Sequence, residues 1–213
     1  MDRRLGSLFT LLAIIAAPGC SSPESNTDKD AEYVTVDASK PIPLKQSKRI
    51  NVFLKVDSSG HKVKESASHW NCVLEKGTKL LWEVKTNSGL RGKAHDYSWF
   101  DSRYNETERG IESGGRCVDS AHCDTEKYVY QVNEAKLCGK TNWRLPTVKE
   151  LQTLVDMDFF NPTIDKKFFP NTLSSGYWTS QPSTDVSFGD DFTYHNDKNK
   201  VRQIRLVHDW EEI

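Results

Sequence analysis

The chain has 213 residues, 36% hydrophobic and 28% charged, the composition of a globular protein with one domain or a small pair. Its 29 basic and 30 acidic residues leave a net charge of −1 with no run of like sign. Phosphate binding needs clustered Lys and Arg, so a nucleic-acid partner is not expected.

The first twenty residues do not read as part of a fold. Arg3 and Arg4 precede an apolar run from Leu5 to Ala17, and small residues then lead to Cys20. That is the layout of a secretory signal, and it is too short for a spanning helix. Ala17-Pro18-Gly19-Cys20 resembles the lipobox of bacterial lipoproteins, which implies cleavage after residue 19 and a lipid on Cys20. The cysteine count agrees. Five cysteines become four once Cys20 is acylated, and an exported chain can pair the remaining four as disulfides. Ser21 after the lipidated cysteine favours the outer membrane, so the membrane is the first expected partner. Residues 20–48 read as a lipidated tether rich in Ser, Asp, Lys and Pro, apart from the short Tyr33–Val36 run.

The folded domain is expected over 49–213. Ile50, Val52, Leu54 and Val56 alternate as in a strand, and Ser58-Ser59-Gly60 makes a turn. Trp70–Leu74 and Leu80–Val84 flank Lys76-Gly77 and predict a hairpin. Residues 87–122 are loop-rich. A helix is expected from Asp124 to about Lys136, with Asp124 or Thr125 as cap, Tyr128, Val132 and Ala135 on one stripe, and Gly139 past its end. A second helix starts at Thr147, where Thr147 and Glu150 form a capping box and Leu151, Leu154 and Val155 make the buried face. Short β segments follow at 176–179, at 186–188 and over an alternating run from Val201 to Val207. Two helices, short strands and long loops predict the α+β class.

Several motifs then occur in a fixed order: Trp70-x-Cys72, Leu80–Thr86, Tyr97-x-Trp99, Cys123-Asp124-Thr125, Leu137-Cys138-Gly139, Trp143-Arg144-Leu145-Pro146-Thr147, Phe169-Pro170-Asn171-Thr172, Tyr177-Trp178-Thr179-Ser180 and Ile204–Val207. Together they resemble the DUF1566 family, also called the Lcl C-terminal domain after a Legionella collagen-like adhesin. The resemblance spans about Val52 to Val207. It implies a C-type-lectin-like fold related to that of formylglycine-generating enzymes, on an exported protein. It also implies a surface binding or adhesion role, with a glycan or an envelope protein as partner. The alternatives are an accessory subunit of an envelope complex and, less favoured, an enzyme on the formylglycine-generating scaffold.

The spacing of Cys72, Cys117, Cys123 and Cys138 does not suit structural zinc, so disulfides are expected. The preferred pairing is Cys123–Cys138, bracketing the first helix, with Cys72–Cys117. A local Cys117–Cys123 loop is its rival. No Gly-x-Ser-x-Gly, His-Glu-x-x-His or phosphate-loop pattern occurs, and no catalytic residue or obligatory cofactor is assigned. Calcium is the better metal candidate, because Asp185, Asp190, Asp191, Asn196 and Asp197 crowd one late stretch with hard oxygen donors. Trp82, Trp143 and Trp178 are expected in the core, and Arg144 as a structural ion-pair partner. Trp99 and Tyr104, in the long polar loop, are the candidates for stacking on a ligand, beside Asp190, Asp191, Asn196 and Asp197.

Overall fold

The computed structural model describes residues 53–190, 193–195 and 199–211. Cys20, the signal segment, the tether, Ile50 and Val52 lie outside these residues.

A four-stranded antiparallel sheet organises the fold, in the order β1 (Phe53–Val56), β2 (Cys72–Glu75), β3 (Leu80–Glu83), β9 (Val207–Asp209). The β2–β3 hairpin forms where the sequence places it, with Leu74 opposite Leu81 and Cys72 opposite Glu83. Its left-handed turn residue is Lys79, at φ 59°, whose N–H donates to Glu75 O. Both strands are buried throughout, which explains why they read as continuous apolar runs instead of alternating ones. The pleat sends Cys72, Leu74 and Leu81 into one apolar cluster and Val73, Leu80 and Trp82 into another, so the sheet divides the core in two.

The first cluster is covered by α1 (Thr125–Glu134), which buries Tyr128 and Val132. Asp124, fully buried, caps it by accepting from Lys127 N at 2.8 Å. The helix ends before the expected Lys136, because Lys136 and Cys138 are left-handed (φ 47° and 52°). This reversal turns Cys138 down onto the sheet. The second cluster is covered by α2 (Val148–Gln152), started by the Thr147/Glu150 capping box, and by a sheet of β5 (Gly176–Trp178), β6 (Thr184–Ser187) and β7 (Thr193–His195). Trp82, Trp143 and Trp178 are core residues, as expected. Two helices with short antiparallel strands make the fold α+β.

Two expectations need correction. The pairing is Cys72–Cys138 and Cys117–Cys123, not Cys123–Cys138 with Cys72–Cys117. The reason is the helix between Cys123 and Cys138. Its 10 residues rise about 1.5 Å each, roughly 15 Å in all, whereas bridged Cα atoms lie within about 7 Å. The end of α1 instead delivers Cys138 to the start of β2. The alternating run 201–207 is also not one strand. β8 (Val201–Arg202) pairs with β4 (Tyr97–Ser98), and the chain then crosses to pair as β9 with β3. Between them lies Arg205, whose buried guanidinium donates to Glu83 O and Thr172 Oγ1, both at 2.7 Å.

Candidate functional site

The loop after β4 is built on a narrow neck. Asp101 N donates to Arg109 O and Ile111 N to Trp99 O, at 2.9 and 3.0 Å. Gly110 has φ +80°, and a Cβ there would lie 2.0 Å from Trp99 O, so the close approach of the two strands of the neck requires glycine. Phe100 is tied to the first turn of α1, because Thr125 Oγ1 accepts from Phe100 N and donates to Phe100 O. Ser102 is tied there too, donating from both N and Oγ to Glu126 Oε2 at 2.8 Å. Within the loop, the Arg103 guanidinium makes a fork on the Asp101 carboxylate.

Facing this loop stands Arg144. It donates to both Glu150 oxygens at 2.8 and 2.9 Å and to Asp209 Oδ1 at 2.9 Å. Glu150 is the capping-box residue, and it also accepts from Thr147 N at 2.7 Å. Ser180, after β5, donates from its N–H to Pro146 O. Between these walls lies a cleft of about 480 Å³ with Phe100, Val129 and Leu145 as its apolar surface and Asp101, Arg103, Glu126, Arg144, Thr147 and Ser180 as its polar surface. That combination of apolar lining and a few fixed polar groups is what small-ligand sites share.

The charges around the cleft are preset. The fork from Arg103 holds Asp101 below the usual carboxylate range and raises Arg103 in turn. Burial works against ionisation of Glu150, but the bonds from Arg144 and Thr147 outweigh it and hold the carboxyl below its ordinary value. Bonding to Glu150, then Asp209, keeps Arg144 firmly cationic.

A second group of ionisable residues sits inside the core. Glu83, fully buried, accepts from Lys85 Nζ at 3.0 Å, from Tyr128 OH and from Leu206 N at 3.0 Å. Lys85 Nζ also donates to Tyr128 OH at 2.7 Å. Burial pushes the Lys85 ammonium down to about 8, with Glu83 pulling the other way. The desolvation that would raise Glu83 is outweighed by Lys85, Arg91 and the bonds it accepts. These groups join β3, α1 and the 203–206 crossing to one another.

The sequence candidates are dispersed. Trp99 is a correction: it is 1% exposed and donates from Nε1 to Thr179 O at 3.0 Å, so its ring is core and cannot stack on a ligand. Tyr104 is exposed and meets Trp99 edge-on, 5.5 Å between centroids. Asp190 is exposed and accepts from Tyr194 OH at 2.7 Å. Asp185 is buried against Arg202 Nε at 3.3 Å, an ion pair within the fold. Asp191, Asn196 and Asp197 lie outside the described residues. Among the described residues no group of three His, Cys, Asp or Glu side chains is arranged to hold a metal ion. Arg144 is the ion-pair partner the sequence suggests, and it also walls the cleft. Arg103 and Glu126 carry no sequence signal that marks them, since each acquires its place only when α1 and the 101–109 loop converge.

Residues 71–208 match the Lcl C-terminal domain, nearly two thirds of the chain and almost all of the described fold. The chain belongs to the Lcl C-terminal domain family. No curated protein and no solved structure matches it. The match includes both disulfides, both helices and every residue lining the cleft of this Lcl C-terminal domain.

Proposed function

We propose that this chain is an envelope lipoprotein that displays its Lcl C-terminal domain as a binding and adhesion module, with the Arg103–Arg144 cleft as the ligand site. The observation that carries the reading is the cleft itself. Its apolar lining is framed by Arg103 and Arg144, the first already locked onto Asp101 and the second onto Glu150 and Asp209, so a ligand meets a surface that needs little ordering on binding. On this reading the fold is C-type-lectin-like, the domain hangs from acylated Cys20 on the outer membrane, and the ligand is a glycan or an envelope protein. The role is binding, not catalysis. All four cysteines from Cys72 to Cys138 are engaged in disulfides, which leaves a Cys-based scaffold chemistry without its thiol.

The test is a glycan array together with crosslinking pull-down, run on the full chain and on Ser180→Trp. Ser180 is exposed on the cleft rim, so a Trp there fills the cleft without entering the core. A ligand captured by the wild-type chain and lost in Ser180→Trp supports the proposal. Equal capture by both places the ligand elsewhere and removes the cleft from the reading. One dominant protein partner with no glycan favours an accessory role in an envelope complex.

A further inference from the structure

The loop between α2 and Ile164 displays two apolar side chains. Met157 is 66% and Phe160 86% exposed, with Phe159 half-buried between them. The loop is held firmly behind these tips. Asp156 N donates to Thr163 O, Phe159 N to Asp156 O, and Thr163 N to Phe188 O, at 2.9, 3.1 and 2.8 Å. Asp158 N donates to Asp156 Oδ1, and Lys166 Nζ to Asn161 O, at 3.0 Å each. A braced loop that holds two large apolar groups in water marks a contact surface.

The place where the described fold begins says what that surface meets. β1 starts at Phe53, whose ring lies 5.4 Å from Phe168, two residues beyond Lys166, which grips the loop. Opposite Phe53 in the sheet, Glu75 accepts from Thr153 Oγ1, at the other root of the same loop. The described fold therefore begins against the two roots of the loop that carries Met157 and Phe160. Fully extended, the residues from 20 to 53 span at most about 120 Å, ample for the loop to reach a surface that holds Cys20.

We infer that Met157 and Phe160 form a lipid-contact patch that dips into a bilayer surface and sets how the domain stands on the membrane. The patch chemistry selects the lipid. Asp156 and Asp158 lie on the loop and Asp165 beside it, against Lys166, so no net cationic charge draws it to anionic headgroups. Insertion is apolar and suits a zwitterionic surface. The inference rests on the envelope-anchor reading for how the loop reaches the membrane, but the contact itself needs no acyl chain.

The experiment uses the full chain from residue 20 with Cys20→Ser, so that no acyl group contributes, and vesicles of phosphatidylcholine and phosphatidylethanolamine. Flotation should carry the protein with the vesicles, unchanged on raising the salt. Met157→Ser with Phe160→Ser should lower partitioning roughly tenfold or more while leaving thermal unfolding unchanged, since both side chains are solvent-exposed. In parallel, p-benzoylphenylalanine at 160 in the native envelope should give a lipid adduct on irradiation, and the same probe at the exposed Tyr130 should give none. Flotation unaffected by the double substitution overturns the inference, as does a protein adduct, or no adduct, at 160. Intact mass of the native protein reports Cys20 acylation separately. An unmodified Cys20 sinks the anchor reading, and the flotation result still decides the patch.

Discussion

Replacing Glu83 by Gln tests the core ion group at its centre. The carboxylate accepts from three donors: Lys85 Nζ, Tyr128 OH and Leu206 N. An amide keeps one accepting oxygen and turns an NH2 toward at least one of those donors. It also strips the buried Lys85 of its counter-charge. Breaking a buried pair by removing one partner costs about 3–5 kcal/mol. For a domain of this size that is a loss of roughly 6–20 °C in Tm, at about 2–4 °C per kcal/mol. The loss should depend on pH in a defined direction. In the wild type Lys85 titrates near 8 when folded and near 10.5 when unfolded. The folded state therefore binds fewer protons across that window, and the contribution of Lys85 to stability rises with pH between those values. Without Glu83, which pulls the ammonium upward, the folded value drops further, so the rise begins at lower pH in the variant. The deficit should be largest near pH 6 and shrink as pH approaches 8. Urea unfolding followed by circular dichroism at several pH values from 6 to 9 measures this directly. A deficit below about 1 kcal/mol, or one that stays flat from pH 6 to 8, refutes the reasoning.

Other outcomes follow from the same structure. The Cys72–Cys138 bridge closes 66 residues and Cys117–Cys123 closes 6, so loop entropy predicts that removing the first pair as alanines costs about 4 kcal/mol and the second about 2. Denaturant unfolding of the two double variants should keep that order. Cys72 and Cys138 are enclosed in the core while Cys117 is partly exposed, so mild dithiothreitol treatment followed by alkylation and mass mapping should label Cys117 and Cys123 first. Asp124→Ala removes the α1 cap and also frees Ser113 N, which donates to the same carboxylate at 2.9 Å. The cost should reach about 2 kcal/mol, the upper end for a cap, read as a lowered unfolding midpoint.

Local signals were legible in the sequence wherever chemistry is local. The capping box at Thr147 and Glu150, the Asp124 cap and the hairpin across Lys76-Gly77 each depend on residues a few positions apart, and each forms. Part of the disulfide pairing was within reach as well. The helix expected between Cys123 and Cys138 is itself the rod that keeps them apart, and counting its rise excludes that pair. The fate of Trp99 was not legible. It sits in a polar stretch, and its burial is decided by Thr179, 80 residues away. The split of 201–207 is of the same kind, set by Arg205 reaching Glu83 and Thr172. The cleft is the extreme case: four segments supply it, and only their convergence distinguishes Arg103 or Glu126 from any other surface charge.

The pinch at Gly110 separates two kinds of sequence freedom. Outward of it, residues 101–109 close on themselves through Asp101 and Arg109, and inward of it Trp99 and Phe100 are buried. That segment therefore behaves as a cassette. Apart from Ser102, which bonds Glu126, and Tyr104, whose ring meets Trp99, its length and side chains can be exchanged with little cost to the packing beneath, provided the glycine at the hinge of the splice stays.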